Sequence, residues 1–78
     1  MTTKKDQIEA YILAHRRGTR IVPKWFRFEL WDEANIDTSK STIRATVTSM
    51  RDRGLIDVWG KGRTTTWYVR EKRRGTSD

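Results

Sequence analysis

The chain contains no cysteine, so neither a disulfide nor a thiolate metal site can staple it. It has one histidine, His15, which cannot build a metal site alone, and no metal is expected. Its apolar runs stop at three or four residues, far short of a membrane span. The stretch MTTKKDQIEA has no apolar region behind its lysines, so no secretory signal is visible. These absences predict a cytoplasmic protein, at the nucleoid or in the cytoplasm of a host cell, with no membrane partner. Catalysis has little to work with. There is no thiol, no histidine partner for a serine or threonine, and no glycine-rich phosphate loop, so neither an enzyme nor a cofactor is expected.

What remains is one small, basic domain. A chain of 78 residues supports a single domain. At that size only ~60% of the unfolded surface is buried, so the core must be compact. Seventeen Lys and Arg oppose ten Asp and Glu, a net charge of +7. Four of the acids, Glu29, Asp32, Glu33 and Asp37, fall within nine residues that hold no base. A basic body with one acidic corner is polarised, which favours a polyanion partner such as nucleic acid over plain solubilising charge.

Periodicity divides the chain. Ile8, Tyr11, Ile12 and His15 recur at helical spacing and predict a helix over 5–17, capped by Thr3 or Thr2 and ended by Gly18. His15 closes that stripe and is expected to pack rather than to ligate. The β-branched run TRIV, 19–22, reads as a brief strand. Pro23 suits the first position of a second helix, 23–33, because its missing N–H costs nothing there. Phe26 and Leu30 should face the core, with Val22 before them. Trp25, Phe28 and Trp31 cannot all share that stripe and must lie at an edge or a contact surface. ANIDTS, 34–39, is a turn with Ser39 as the expected cap. A third helix, 40–53, buries Ile43, Val47 and Met50 and stops at Gly54.

LIDVW and TTTWYV flank GKGR as a hairpin. A four-residue turn at 60–63 pairs Trp59 with Thr64, Asp57 with Thr66 and Ile56 with Trp67. Alternation then sends Ile56, Val58, Thr65, Trp67 and Val69 inward, and Asp57, Trp59, Thr64, Thr66 and Tyr68 outward. Residues 1–4 and the basic tail 71–78 are polar and charged and are expected to be flexible, leaving 5–70 as the domain.

From Ser39 to Val69 the residues become familiar. The stretch has Ser41-Thr42-Ile43, apolar Val47 and Met50, then Gly54-Leu55-Ile56, a glycine- and arginine-rich tip at 60–63 and Trp67 in the last strand. It resembles the winged helix-turn-helix family of DNA-binding domains, and the pattern extends loosely back to Ile8. The resemblance implies an α+β winged helix in the order helix, strand, helix, helix, strand, strand. The third helix would be the recognition helix and the hairpin the wing. Two departures stand out: a longer connection between the second and third helices, and a second helix richer in aromatics.

With Ile43, Val47 and Met50 inward, Ser41, Ala45, Thr48 and Asp52 point outward with Arg44 and Arg51 on one flank. Lys40, Ser41 and Thr42 sit at the helix N-terminus, where free N–H groups and the dipole favour phosphate. Arg44 fits a bidentate contact to guanine, and Thr48 and Ala45 fit a thymine methyl. Lys61 and Arg63 on the wing tip would reach backbone or minor groove. Lys24 is the candidate at the second helix, near Arg16, Arg17 and Arg20, and the tail cations add non-specific attraction.

Trp59 and Tyr68, with Trp25 or Trp31, have three readings: mutual shielding on the surface, a dimer or partner contact, or stacking on a base. Double-stranded DNA is thus the expected partner, bound as a dimer or as several copies. The protein would be a small transcriptional regulator or an excisionase-like architectural factor of the phage or mobile-element type. A phage-type inhibitor or adaptor that uses the fold for protein contacts, and an RNA-binding module, are the alternatives.

Overall fold

In the computed structural model, which describes residues 2–71, the first helix starts on a reciprocal cap. The Asp6 N–H donates to Thr3 Oγ1 and the Thr3 N–H donates to Asp6 Oδ2. Thr3 rather than Thr2 is therefore the cap, and helix α1 covers Lys4–His15, starting and ending earlier than its periodicity indicates. Ile8 and Ile12 are fully buried and Tyr11 is partly so. His15 is exposed, against expectation. It is the last residue of α1, past the covered part of the stripe, and its ring rests against Tyr11 at 5.0 Å.

Strand β1 is only Arg20–Ile21. Ile21 points into the core, so alternation turns Val22 outward, where it is 47% exposed instead of facing inward as expected. Helix α2, Pro23–Ala34, begins with proline in its first turn and buries Phe26 and Leu30. Asn35, at φ +55°, ends it in the left-handed region. The Ile36 N–H then reaches back to the Leu30 carbonyl at 2.9 Å. This closure swings Ile36 into the core, a burial the turn-like composition of 34–39 conceals.

Ser39 caps α3 (Lys40–Asp52) by accepting from the Thr42 N–H at 3.2 Å. Ile43, Val47 and Met50 are buried as expected, joined by Thr46, whose hydroxyl donates to the Thr42 carbonyl at 2.8 Å. A buried hydroxyl satisfied within its own helix carries little desolvation cost.

Strands β2 (Ile56–Trp59) and β3 (Thr66–Val69) complete a three-stranded antiparallel sheet in the order β1-β3-β2. The register is Ile56 with Val69, Asp57 with Tyr68, Val58 with Trp67 and Trp59 with Thr66. That is two residues away from the pairing the sequence indicates, because the connection spans residues 60–65 and contains a short 3₁₀ turn, Gly62–Thr64. Thr65 leaves the strand for the loop. An even shift preserves the parity of side chains, so Ile56, Trp67 and Val69 still face inward. Val58 shares their face but is 40% exposed, since edge strand β2 carries it beyond the covered part of the sheet. Trp67 closes the core as expected, meeting Phe26 edge-to-face at 6.4 Å.

The wing turn depends on Gly60. Its φ is +79°, and an added Cβ would collide with the Thr64 carbonyl; at Gly62, φ +55°, the space is open. Gly60→Ala should therefore cost about 2–3 kcal/mol in urea unfolding, and Gly62→Ala about 1 kcal/mol. Equal losses would contradict this account of the turn.

Candidate nucleic-acid interface

The helix termini differ in charge. Helix α1 has Asp6 in its first turn, where an acid complements the positive end of the helix. Helices α2 and α3 have no acid in their first turns and carry Lys24 and Lys40 instead. Val22 supplies no side-chain cap to α2, and Ser39 satisfies only one N–H of α3. Both ends border one hollow of about 150 Å³, lined by Pro23, Lys24, Lys40, Ile43, Arg44 and Trp67. The fold thus assembles uncompensated helix N-termini and three cations at one place, with Trp67 as an apolar wall.

Along α3, Ser41, Arg44, Ala45, Thr48 and Arg51 are all exposed. Arg44 borders the hollow, while Arg51 lies near β2 and approaches Asp52 at 3.7 Å, an exposed pair of little strength. Thr42 is different from its expected role. It is half-buried, with its hydroxyl 3.0 Å from Ser39 Oγ, and belongs to the cap. Lys61 and Arg63 are exposed on the wing, whose tip is closed by Thr64: its hydroxyl donates to the Lys61 carbonyl at 2.8 Å.

Other cations are engaged in the fold. Arg16 donates to the Arg20 carbonyl and approaches Glu29, Arg17 donates to the Glu71 carbonyl, and Arg70 pairs with Asp57 at 2.8 Å. The tail cations Lys72, Arg73 and Arg74 lie outside the described residues. Pro23 and Trp67 were not legible as parts of the hollow, which only the packing of α2 against α3 and β3 creates.

The outward aromatics are as exposed as their positions imply: Trp25 59%, Trp31 57% and Trp59 64%. Trp25 contacts Phe28 at 6.3 Å and lies under the Lys24 ammonium at 5.1 Å, yet this shields neither ring fully. Tyr68 is half-buried on the outer sheet face.

Of the four clustered acids, Glu29 is structural. It accepts from the Tyr11 hydroxyl at 2.7 Å and lies 3.5 Å from Arg16 Nε. Burial, reinforced by the bond to Glu29 and its charge, pushes the Tyr11 phenol up to about 12.

No known family model matches the chain, and no curated protein or solved structure is detectably similar to it.

Since the folded phenol titrates above its unfolded value, the neutral Tyr11 stabilises the fold fully below about pH 10 and loses that contribution as the pH rises toward about 12. Urea midpoints measured across this window should fall more steeply for the native chain than for Tyr11→Phe. Parallel curves would remove Tyr11 from the account.

Proposed function

We propose that this chain is a winged-helix protein that binds double-stranded DNA, with α3 in the major groove and the wing on the backbone or in the minor groove. The observation that carries this reading is the shared hollow at the ends of α2 and α3. Two positive helix ends bearing lysines in place of acids make a site for a backbone phosphate. A phosphate held there sets the register of α3 on the duplex. The exposed face of α3 then presents small side chains, Ser41, Ala45 and Thr48, which let the helix approach base edges closely. Arg44 beside them supplies the bidentate donor suited to guanine.

Further support comes from the three-helix, three-stranded antiparallel architecture and from a wing tip carrying two exposed cations. The chain has the make-up of a small regulator or architectural factor. It works by occupying DNA.

Selection of bound duplexes from a randomised library at physiological salt, followed by sequencing, tests this. An enriched motif is expected. Arg44→Ala should flatten one position of the motif, at a discrimination cost of ~1–3 kcal/mol. Lys24→Ala should weaken all sequences alike and lower the salt slope by about 0.9. A flat selection with the native chain would refute specific DNA readout and favour RNA or a protein partner.

A further inference from the structure

Two surface features take no part in the DNA reading. The first is the outward face of α2. At about 100° per residue, Phe28 lies opposite the direction shared by Phe26 and Leu30, with Trp25 and Trp31 about 60° to either side. These three rings are 59%, 64% and 57% exposed for Trp25, Phe28 and Trp31 respectively. Single exposed aromatics are ordinary, but three on one face of a 12-residue helix form a patch. Its rim is acidic. Phe28 and Trp31 share one depression with Asp32 and Glu33 and another with Asp37, where the nearby Arg27 is already bonded to the Thr38 carbonyl. Among the described residues, Asp32, Glu33 and Asp37 have no ion pair.

The second feature is the outer face of the sheet. There Gly18, Arg20, Trp59, Thr66 and Tyr68 line an open groove of about 530 Å³. The register builds it: Arg20 lies beside Tyr68, and Trp59 beside Thr66. Arg20 lines the groove together with Tyr68 and Trp59; its side chain is exposed and has no ion pair among the described residues.

We infer that the aromatic, acid-rimmed face of α2 on one copy docks into the aromatic, basic groove of the outer sheet face on a second copy of this chain. Charge selects this pairing. Two α2 faces placed together would oppose Asp32, Glu33 and Asp37 with their own like charges, whereas the groove offers Arg20. Trp and Tyr on both surfaces are the residue types that anchor interfaces. Because the two surfaces differ, the contact is head-to-tail: a row of copies keeps a free ridge at one end and a free groove at the other, and assembly continues rather than stopping at a dimer. The three α2 rings offer on the order of 400 Å². A stable interface needs about 800 Å² per partner. Association of the free protein is therefore weak and becomes visible only at high concentration. Neither surface includes Lys24, Lys40, Arg44 or the wing cations Lys61 and Arg63, and the two variants tested below, at Arg20 and Trp31, leave those residues in place.

Sedimentation equilibrium of the full chain, from micromolar to millimolar and at low and high salt, tests the inference. The native protein should show an average mass that rises past that of a dimer without a plateau, less so at high salt. Trp31→Ser removes the ridge and Arg20→Glu removes the groove; each variant alone should associate at least tenfold more weakly. Both positions are exposed, and circular dichroism verifies their folding. Mixed together, the two variants should form a one-to-one dimer, because one intact ridge meets one intact groove. A native chain that stays monomeric overturns the proposal. So does Arg20→Glu associating as the native chain does, which means ridge-to-ridge pairing. So does a mixture that remains monomeric.

Discussion

The edge-to-face contact between Phe26 and Trp67 is the constraint on which the rest of the structure depends. Phe26 belongs to α2 and Trp67 to the central strand of the sheet, so this aromatic pair ties α2 to the strands, as α3 packs against β2. The buried apolar residues of the described chain form one cluster, and this pair lies within it. The same indole also walls the hollow between α2 and α3. The core and the proposed phosphate site thus share a residue: whatever moves Trp67 moves the wall beside which Lys24, Lys40 and Arg44 are arranged. Ile36 reinforces this from the other end. By folding back on Leu30 it fixes how α3 leaves α2, and hence how the two N-termini come together.

Helix α2 serves two environments. Its inner face holds Phe26 and Leu30, as any amphipathic helix would, while its outer face is aromatic where solvated helices carry charge. Glu29, between the two faces, is bound to Tyr11 and Arg16 and anchors α2 to α1. The acid cluster therefore separates into one structural carboxylate and three surface ones. The surface ones give the molecule a charge gradient, with the cations of the α2–α3 hollow and the wing elsewhere.

Much of this was legible in the residues. Local rules located the three α-helices, the cap at Ser39, the cap of α1 to within Thr2 or Thr3, the inward stripe of α3 and the inward Trp67, because each depends on near neighbours in sequence. What was hidden depends on tertiary closure. Ile36 looks like part of a polar turn until Asn35 takes a left-handed conformation beneath it. Thr46 looks like a surface threonine until its hydroxyl finds the carbonyl one turn back. The hairpin register moved by two because GKGR invites a tight turn, while the threonines that follow close a wider one through Thr64. The face assignments survived that change only because two is even. Val22 and Val58 are exposed for different reasons: alternation after the inward Ile21 turns Val22 outward, whereas Val58 faces inward beyond the reach of the covering layer. Thr42 shows the limit for the site itself: placed at the helix N-terminus as a phosphate contact, it is half-buried with its hydroxyl against Ser39.

Lysine in the first turn of two helices also has a consequence for the protein when nothing is bound. Each ammonium there opposes the dipole of its own helix, a penalty of about 0.3–1 kcal/mol apiece. The free fold is therefore held below the stability its core would otherwise give it. On the proposed reading, an anion between the two ends offsets part of that penalty, and inorganic phosphate would then raise the protein's thermal stability.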